Sequence, residues 1–403
     1  MKVTILNQHT NNFGDDAAGV GMAEQIRSLF PDAKIEFLYH SFKPCGTIPF
    51  HDSNTIHRND LLILKKDLPD AVKYLISKIF PFISYGNGNV AKTVQVIKES
   101  DAVVVSPCGA NIGIYKDWIF LLRVLIAVLE KKKPYFHLNT IGKSGNRLFD
   151  TMAKYALKRS KVFVRESKSV KELKKMGIQV EQGVDTAFSL EKRIENKFDD
   201  KADYLALIPT QFDNWHVSYK KNKIDNNIKN ILLPDITKFC LKNNLDIRII
   251  PHLTGELKED EFLKEYKDRL ISLGMQEDSI HIEKQVESFY DYEDVIKASK
   301  MVVSMRYHGV IFAIKNAVPF LSLAYENKMR EACMYSDSLS LNIDLKNLSD
   351  TNVLDRVNTI YKNENNIKNN LAQKSIILDR LARLPLQAMY LEYLSNNVKE
   401  EIS

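Results

Sequence analysis

The sequence predicts an α/β fold built from two Rossmann-like, doubly wound lobes with a cleft between them. Short apolar, β-branched runs alternate with helical patterns over the first half of the chain, which is typical of parallel sheets covered on both faces. The chain turns polar and charged between residues 190 and 202, and the alternation then begins again. A length of 403 residues also suits two domains better than one.

The first lobe is predicted over residues 1–190. Its strands are the apolar runs at residues 3–6, 35–39, 102–106, 135–138 and 162–165, and a helix is predicted at residues 17–29. The most apolar stretch, residues 119–129, contains Arg123 and falls short of the ~20 residues that a membrane-spanning helix needs. We therefore expect a buried helix there.

The second lobe is predicted over residues 203–363, after an interdomain linker at residues 190–202. Its strands are expected at residues 204–208, 247–250, 281–282, 301–304 and 320–323. The tail at residues 364–403 has a helical pattern and is a candidate to return to the first lobe. Ligands of such sheets bind beyond the carboxyl ends of the strands, so polar residues at those ends are the first candidates for a site.

Composition and the spacing of the cysteines indicate which kind of protein the chain is. Hydrophobic residues make up 44% of the chain and charged residues 27%, the balance of a soluble globular protein. Cys45, Cys108, Cys240 and Cys333 lie far apart and form no CxxC pair, which argues against a structural zinc site and fits a reducing compartment. The chain opens on a predicted strand without a secretory signal pattern. We expect a cytoplasmic protein that holds no metal.

The net charge of +6 is modest and partly local. Between Lys154 and Lys175 there are nine Lys or Arg residues against two Glu. Such a basic face is either an ordinary solvated surface or a contact for nucleic acid, a phosphorylated substrate or an anionic membrane. The chain has no recognised nucleic-acid motif, so we expect no nucleic-acid partner. Peripheral contact with the inner face of a membrane stays open.

The most informative motif follows the predicted strand at residues 301–304. Arg306, His308 and Gly309 lie between this strand and a helix predicted to resume near Val310. An anion placed here would meet a guanidinium group, an imidazole and the free N–H groups of a helix start. Gly309 would let the backbone approach a ligand or take a positive φ. In the alternative, structural interpretation, Arg306 pairs with a carboxylate and His308 caps the turn.

Several motifs, in order along residues 1–335, together resemble the polysaccharide pyruvyltransferase family. They are Asn11-Asn12-Phe13-Gly14-Asp15-Asp16, Val164-Arg165-Glu166-Ser167, Val184-Asp185-Thr186-Ala187-Phe188, and Ser304-Met305-Arg306-Tyr307-His308-Gly309 with its continuations Asn316-Ala317-Val318-Pro319 and Tyr325-Glu326-Asn327-Lys328. One segment departs from the family pattern: residues 106–111 replace its Gly-Gly-Gly turn with Ser-Pro-Cys-Gly-Ala-Asn.

This resemblance implies a GT-B-like fold and a metal-independent transfer from phosphoenolpyruvate, which is a co-substrate and not a cofactor. The donor carries a phosphate and a carboxylate, so its site needs at least two cations. Arg306 and Arg165 match the family's donor arginines, and Gly309 lies beside them in the motif. Lys328 is a candidate for a third positive charge or an ordinary solvated lysine. His308 is the candidate general acid, because imidazole has the pKa nearest neutrality.

Three residues are candidates for binding the acceptor, a sugar or lipid-linked oligosaccharide. Asp15 either binds or deprotonates a sugar hydroxyl or is the N-cap of the first helix. Trp215 lies in a polar loop, where its ring either stacks on a sugar or anchors the loop. His252 follows a strand and is either near the acceptor or structural. Asp185 is expected to orient Arg165.

Two other functions stay open. A GT-B glycosyltransferase using a nucleotide sugar would place its diphosphate at the same helix start, although the chain lacks the pair of glutamates that retaining enzymes of this fold often show. A protein that binds a sugar or phosphate without catalysis would not need both Arg306 and His308. Pyruvyl transfer explains this pair best, because its donor carries two anionic groups.

Overall fold

The computed structural model describes residues 1–191, 203–212, 224–254 and 259–402, with side chains described as far as residue 395. The chain forms two compact units. The first unit comprises Met1–Asn11, Asp15–Glu191 and Arg380–Ser403, and the second comprises Asn12–Gly14 and Lys192–Asp379.

The first unit contains a seven-stranded parallel sheet. Its strands are β1 (Lys2–Gln8), β2 (Lys34–Tyr39), β3 (Thr55–Arg58), β4 (Ala102–Val105), β5 (Tyr135–Asn139), β6 (Lys161–Val164) and β7 (Glu181–Gln182). They are arranged in the order β3-β2-β1-β4-β5-β6-β7. The helices of this part of the chain are α1 (Phe13–Leu29), α2 (Leu68–Ser77), α3 (Asn89–Lys98), α4 (Trp118–Leu129), α5 (Arg147–Leu157) and α6 (Ser167–Lys175).

The second unit contains a six-stranded parallel sheet. Its strands are β8 (Tyr204–Ile208), β9 (Asp246–Ile249), β10 (Ile280–Ile282), β11 (Met301–Ser304), β12 (Phe320–Ala324) and β13 (Asn342–Asp344). They are arranged in the order β10-β9-β8-β11-β12-β13. The helices that follow are α7 (Ile224–Asn227), α8 (Leu233–Asn243), α9 (Asp260–Ser272), α10 (Phe289–Ala298), α11 (Tyr307–Lys315), α12 (Asn327–Tyr335), α13 (Val353–Lys362) and α14 (Glu364–Ile402).

The helix α4 is buried, as its apolar sequence predicts. All residues from Ile119 to Val128 are buried, and Arg123 among them is 0% exposed. The Arg123 guanidinium donates hydrogen bonds to the carbonyl oxygens of Tyr39 and Leu61, at 2.5 and 2.7 Å. Burial lowers the pKa of Arg123 to about 10. Within the described ranges, no helix is both long and apolar enough to cross a membrane.

The long helix α14 contributes to both units. Its residues from Arg380 onward group with the first unit. There the Glu392 carboxylate accepts hydrogen bonds from Lys133 Nζ at 2.8 Å and from the Tyr135 hydroxyl at 2.6 Å. These bonds fix the helix beside the start of β5.

Each sheet has a point at which its strand order reverses. In the first sheet this point lies between β1 and β4, and in the second it lies between β8 and β11. The two loops that leave such neighbouring strands run in opposite directions and open a crevice at the carboxyl edge, where ligands of doubly wound sheets bind. Arg165 follows β6 and Arg306 follows β11, so both lie at these carboxyl edges.

Candidate active site

Arg306 lies at the carboxyl end of β11, at the reversal point of the second sheet. Its side chain is 3% exposed. The backbone N–H of Arg306 donates to Ser304 Oγ at 3.0 Å, which ties the residue to the strand. Its Nε donates to the Pro209 carbonyl, just past β8, at 3.2 Å, and its Nη2 forms a buried ion pair with Glu259. The guanidinium group is therefore held in one orientation.

Glu259 joins Arg306 to the loop that follows β9. One carboxylate oxygen pairs with Arg306, and the other accepts the backbone N–H groups of His252 and Leu253 at 2.9 and 3.1 Å. A buried carboxylate needs such partners to offset its lost hydration. This pairing matches the structural interpretation of Arg306. It also fixes the plane of a guanidinium fork, which is what recognition of a planar anion requires.

His308 lies inside the first turn of α11. The helix begins at Tyr307 and not near Val310 as predicted, so His308 does not cap a turn. Arg306 takes the N-cap position instead, with extended backbone angles of φ −112° and ψ 134°. The hydrogen bonds of Ser304 to the Arg306 backbone bring the chain from strand to helix without a longer loop. The His308 side chain is consequently 7% exposed at the helix start.

His252 lies beside His308 and is also buried. The two imidazole rings are nearly parallel, with centroids 6.3 Å apart. The Nδ1 atom of His252 is 3.1 Å from the Tyr292 hydroxyl, and its side chain is 3% exposed. Burial first, and then the positive charges of Arg306, His308 and Lys328, hold the pKa of His252 well below its usual range. His252 is therefore neutral near pH 7.

The segment Asn12–Gly14 belongs to the second unit and contacts this site. The Phe13 N–H donates to the His252 carbonyl at 3.3 Å. The Gly14 N–H donates to Asn12 Oδ1 at 2.9 Å. A methyl group at position 14 would lie 1.7 Å from His308 Nδ1, so only glycine leaves room for the ring. The first and last motifs of the sequence thus meet in one structure.

Gly309 and Lys328 lie in the first turns of α11 and α12. Gly309 does not adopt the positive φ that the sequence allowed. A methyl group there would lie 2.3 Å from Ser304 Oγ, so close packing on the strand explains the glycine. Lys328 Nζ lies 3.0 Å from the Glu326 carboxylate and 5.6 Å from the centroid of the Tyr307 ring. The lysine is thus oriented by an acidic neighbour, as Arg306 is.

In the first unit, Arg165 follows β6 and is 4% exposed. Its Nη1 donates to Asp185 at 2.7 Å, its Nε to Thr140 Oγ1 at 3.2 Å, and its Nη2 to the Cys108 carbonyl at 3.2 Å. Asp185 is 0% exposed and orients the arginine, in the geometry expected of it. The carbonyl of Cys108 comes from the turn in which the sequence departs from Gly-Gly-Gly.

Asp15 is not the N-cap of the first helix, and that alternative is wrong. The helix α1 begins at Phe13, four residues before the predicted start at Ala17, so Asp15 is its third residue. The Asn12 side chain accepts the N–H of Gly14, which is the kind of bond that Asp15 was expected to make. Asp15 is partly exposed, in a first turn where a negative charge is favourable.

The adjacent Asp16 is 9% exposed. Burial and the neighbouring charge of Asp15 raise the pKa of Asp16 to about 7, although a hydrogen bond from Thr10 opposes the shift. Asp16 therefore titrates close to neutral pH. It is a second carboxyl group in the same motif, and the sequence analysis did not assign it a role.

A further polar cluster in the first unit was not predicted from the sequence. His40 Nε2 lies 2.7 Å from Asp117 Oδ2, and the other Asp117 oxygen accepts the Phe120 N–H at 3.0 Å at the start of α4. Burial alone would raise the pKa of Asp117, but these partners lower it to about 2. The His9 ring lies 4.9 Å from that of His40, and burial lowers the pKa of His9 to about 4.

Two ring nitrogens of this cluster, His40 Nδ1 and His9 Nε2, are buried without a hydrogen-bond partner among the described residues. Such an atom usually has a partner, so a ligand hydroxyl would complete it. The sequence could have indicated these two histidines by their position, since His9 directly follows β1 and His40 directly follows β2.

The backbone at this edge of the first sheet is irregular. Asn7 and Leu138 have positive φ values of 63° and 58°. The register of β1 shifts between Leu6 and Gln8, and that of β5 shifts between Phe136 and Asn139. Bulges and strained residues of this kind turn side chains toward a site and are concentrated near functional residues.

The remaining predictions concern Trp215, a candidate for binding the acceptor, and metal sites. Trp215 lies outside the described residues, as does most of the predicted linker. Across residues 1–191, 203–212, 224–254 and 259–402, no group of three or more His, Cys, Asp or Glu side chains could hold a metal ion. All four cysteines are free.

The fold defines the class of protein. A provisionally assigned UDP-N-acetylglucosamine 2-epimerase from Listeria monocytogenes is 11% identical, with a TM-score of 0.60 over 98% of this chain and 97% of its own. Anabaena HepE in complex with UDP and glucose is 10% identical, with a TM-score of 0.55 over 98% and 100%. The UDP-GlcNAc 2-epimerase of Neisseria meningitidis is 14% identical, with a TM-score of 0.55 over 96% and 99%. These similarities confirm the predicted two-lobe α/β fold of GT-B type.

The chain belongs to the polysaccharide pyruvyl transferase family, whose model matches residues 12–327. This confirms the family that the motifs indicated. The match includes Arg165, Arg306 and His308, while Lys328 lies one residue beyond it. No curated protein matches the sequence.

Proposed function

We propose that the protein transfers a pyruvyl group from phosphoenolpyruvate to two hydroxyls of a sugar, as a ketal, during synthesis of a capsule, exopolysaccharide or cell-wall glycan. The observation that carries this proposal is the placement of Arg306 and His308 at the start of α11, in a chain of this family. A fixed guanidinium group, an imidazole and the N–H groups of a helix start suit an anion that is protonated as it reacts.

The proposed reaction balances without a metal or a redox partner. A proton adds to the methylene carbon of phosphoenolpyruvate and leaves an oxocarbenium-like centre at the carbon that bears the phosphate. One sugar hydroxyl adds there, phosphate leaves with the electron pair of its C–O bond, and the second hydroxyl adds. Of the two protons that the hydroxyls lose, one replaces the proton given to the methylene carbon and the other leaves with phosphate.

We assign the proton transfer to His308 and the binding of the donor anion to Arg306, with Lys328 and the N–H group of Gly309 beside it. His252 is a poor proton donor because burial and the nearby positive charges keep it neutral. Its buried position and its bond to Tyr292 favour a supporting role over acceptor binding. In the first unit, Arg165 is the candidate second donor arginine.

On the acceptor side, the proposal rests on residues of the first unit. Asp15 is partly exposed and is the candidate to bind or deprotonate a sugar hydroxyl. His40 is a second candidate base. Its bond to Asp117 orients the imidazole, and the Nδ1 atom of His40 is buried without a partner among the described residues. Since phosphoenolpyruvate is a cytoplasmic metabolite, we place the reaction in the cytoplasm.

A thermal-shift comparison tests the donor. Phosphoenolpyruvate should raise the melting temperature by mass action, and more strongly than UDP-glucose or UDP-N-acetylglucosamine at the same concentration. Incubation with phosphoenolpyruvate and a panel of free and lipid-linked sugars should then release phosphate and give a product of the mass of a ketal. Stronger protection by a UDP-sugar, with no phosphate release, would replace the proposal with nucleotide-sugar glycosyl transfer.

A further inference from the structure

The helix α2 carries a stripe of large apolar side chains on its exposed face. Leu68, Val72 and Ile76 follow one another at intervals of four residues and are 40%, 54% and 38% exposed. Beyond the end of the helix, Ile79 is 74% exposed, Phe80 48% and Phe82 83%. We call these six residues the α2 stripe.

The fold of the first unit does not need this stripe. The opposite face of α2 already packs inward through Ala71 and Tyr74, which are 3% and 0% exposed. The Tyr74 hydroxyl donates to Glu130 at 2.5 Å and anchors the helix to the end of α4. An ordinary surface helix is polar on its outer face, so a helix that is apolar on both faces indicates a further contact.

The charges around the stripe indicate what it contacts. Lys65 and Lys66 precede the helix and Lys73 lies on it, against two acidic residues, Asp67 and Asp70. Lys78 follows the helix and pairs with Glu130. Lysines at the start of a short apolar face and along it can extend to anionic headgroups while the apolar side chains enter the boundary below them. With ten residues, α2 is far too short to span a bilayer, so it would lie in the interface.

We propose that the α2 stripe docks the protein on the surface of an anionic membrane. This is a different surface from the basic residues between Lys154 and Lys175. Of those, Lys158, Arg159, Lys161 and Lys174 line a concave pocket that has no large exposed apolar side chain among its lining residues. Docking through α2 does not depend on the proposed pyruvyl transfer, but it would bring the enzyme to an acceptor carried on a lipid.

Sedimentation with vesicles tests the proposal. The wild-type protein should bind vesicles of phosphatidylglycerol mixed with phosphatidylcholine and bind phosphatidylcholine vesicles less. The affinity of the double variant Ile79→Ser/Phe82→Ser for these vesicles should fall by about tenfold or more, because two of the most exposed apolar side chains no longer enter the bilayer. Lys65→Gln/Lys66→Gln should lose mainly the preference for anionic lipid, and that preference should fall with salt.

Two controls make the outcome specific. Leu148→Ser removes an apolar side chain that is 64% exposed on α5, and it should leave vesicle binding unchanged. Lys158→Gln/Lys161→Gln tests the other basic surface and should have a small effect. Wild-type protein that ignores anionic vesicles would overturn the proposal. The proposal would also fail if light scattering shows a dimer for the wild-type protein and a monomer for the Ile79→Ser/Phe82→Ser variant. The α2 stripe would then be a contact between two copies of the chain.

Vesicle binding and donor binding can fail independently. The Ile79→Ser/Phe82→Ser variant should keep the full thermal shift with phosphoenolpyruvate. If phosphoenolpyruvate does not raise the melting temperature of the wild-type protein, the proposed donor is rejected and the membrane proposal is unaffected.

Discussion

Gly14 and His308 are in direct steric contact: a methyl group at position 14 would lie 1.7 Å from Nδ1 and 2.1 Å from Cγ of the imidazole. The two residues belong to the first and last motifs of the chain, 294 positions apart in sequence. The glycine is therefore required by the histidine and not by its own backbone angles, which are not among the positive φ values. This contact gives a physical reason for both motifs to occur in one protein.

Gly14→Ala should displace the His308 ring and reduce turnover strongly. The methyl group overlaps the ring at the start of a packed helix, so the free energy of unfolding should also fall by about 1–3 kcal/mol. Activity and urea denaturation measure the two effects. Gly46→Ala is the matched control, because a methyl group there meets no atom within 4 Å. Wild-type activity in Gly14→Ala would show that the imidazole can move without cost.

Arg306→Lys and His308→Ala should separate donor binding from proton transfer. Lysine keeps the charge of Arg306 but loses the guanidinium fork, so the KM for phosphoenolpyruvate should rise markedly. His308→Ala should mainly lower kcat, by ~10²–10⁴-fold, because a general acid acts only as the reaction proceeds. Protection by the donor in a melting assay should persist in the histidine variant and weaken in the arginine variant. Near wild-type turnover of a folded His308→Ala protein would contradict this role and make the His40–Asp117 pair the next candidate for the general acid.

Glu259→Gln tests whether the carboxylate orients Arg306 or only neutralises it. If it orients the guanidinium group, as we predict, the KM for the donor should rise and the free energy of unfolding should fall by about 1–3 kcal/mol. If it only neutralises charge, the donor should bind more tightly. Steady-state kinetics and urea denaturation decide between these outcomes. Glu277→Gln is the control, since that side chain is 78% exposed in a 3.6 Å pair with Lys267 and should change neither quantity.

The central strands were the most predictable part of the fold, whereas β3, β7 and β13, which lie at sheet edges, were not predicted. Strands of a parallel sheet are buried on both faces, so they are continuous apolar runs that a sequence shows directly. The starts of α1 and α11 were predicted three to four residues too late. In both cases the helix begins where a preceding side chain, Asn12 or Ser304, bonds to the backbone, and such a bond depends on the fold around it.

The candidate site was only partly predictable from the sequence. Arg306 and His308 were found because they follow the predicted strand at residues 301–304, and Arg165 was found only through its match to a family motif, since it lies inside the predicted strand at residues 162–165. Glu259 was not, since it pairs with Arg306 across 47 positions and nothing in its own surroundings distinguishes it from neighbouring acidic residues. The contact of Gly14 with His308 is likewise a property of packing, which local patterns do not encode.

Activity should survive chelation with EDTA. The proposal neutralises the donor with positively charged side chains, Arg306 and Lys328 in the second unit, and the described residues hold no cluster with the make-up of a metal site. Phosphate release before and after EDTA treatment measures this. Complete loss of activity that Mg²⁺ or Mn²⁺ restores would contradict the proposal and indicate oxygen ligands outside the described ranges or supplied by the substrate.

The free energy of unfolding should depend on pH through the titration of Asp16. Its pKa is about 7 in the folded protein and 3.8 in an ordinary carboxyl group. Between these values the folded state holds a proton that the unfolded state has released, so this group's contribution to stability falls as the pH rises from 3.8 to about 7 and then stays constant. Asp16→Asn cannot ionise and should escape this loss. Its stability relative to wild type should therefore increase from about pH 5 to pH 7 and level off above, measured by urea denaturation at each pH. The solvent-exposed Asp32→Asn, in the same unit, should show no such increase. A stability difference for Asp16→Asn that is independent of pH would mean that the folded protein keeps Asp16 ionised, and that water or an unseen partner reaches its buried carboxylate.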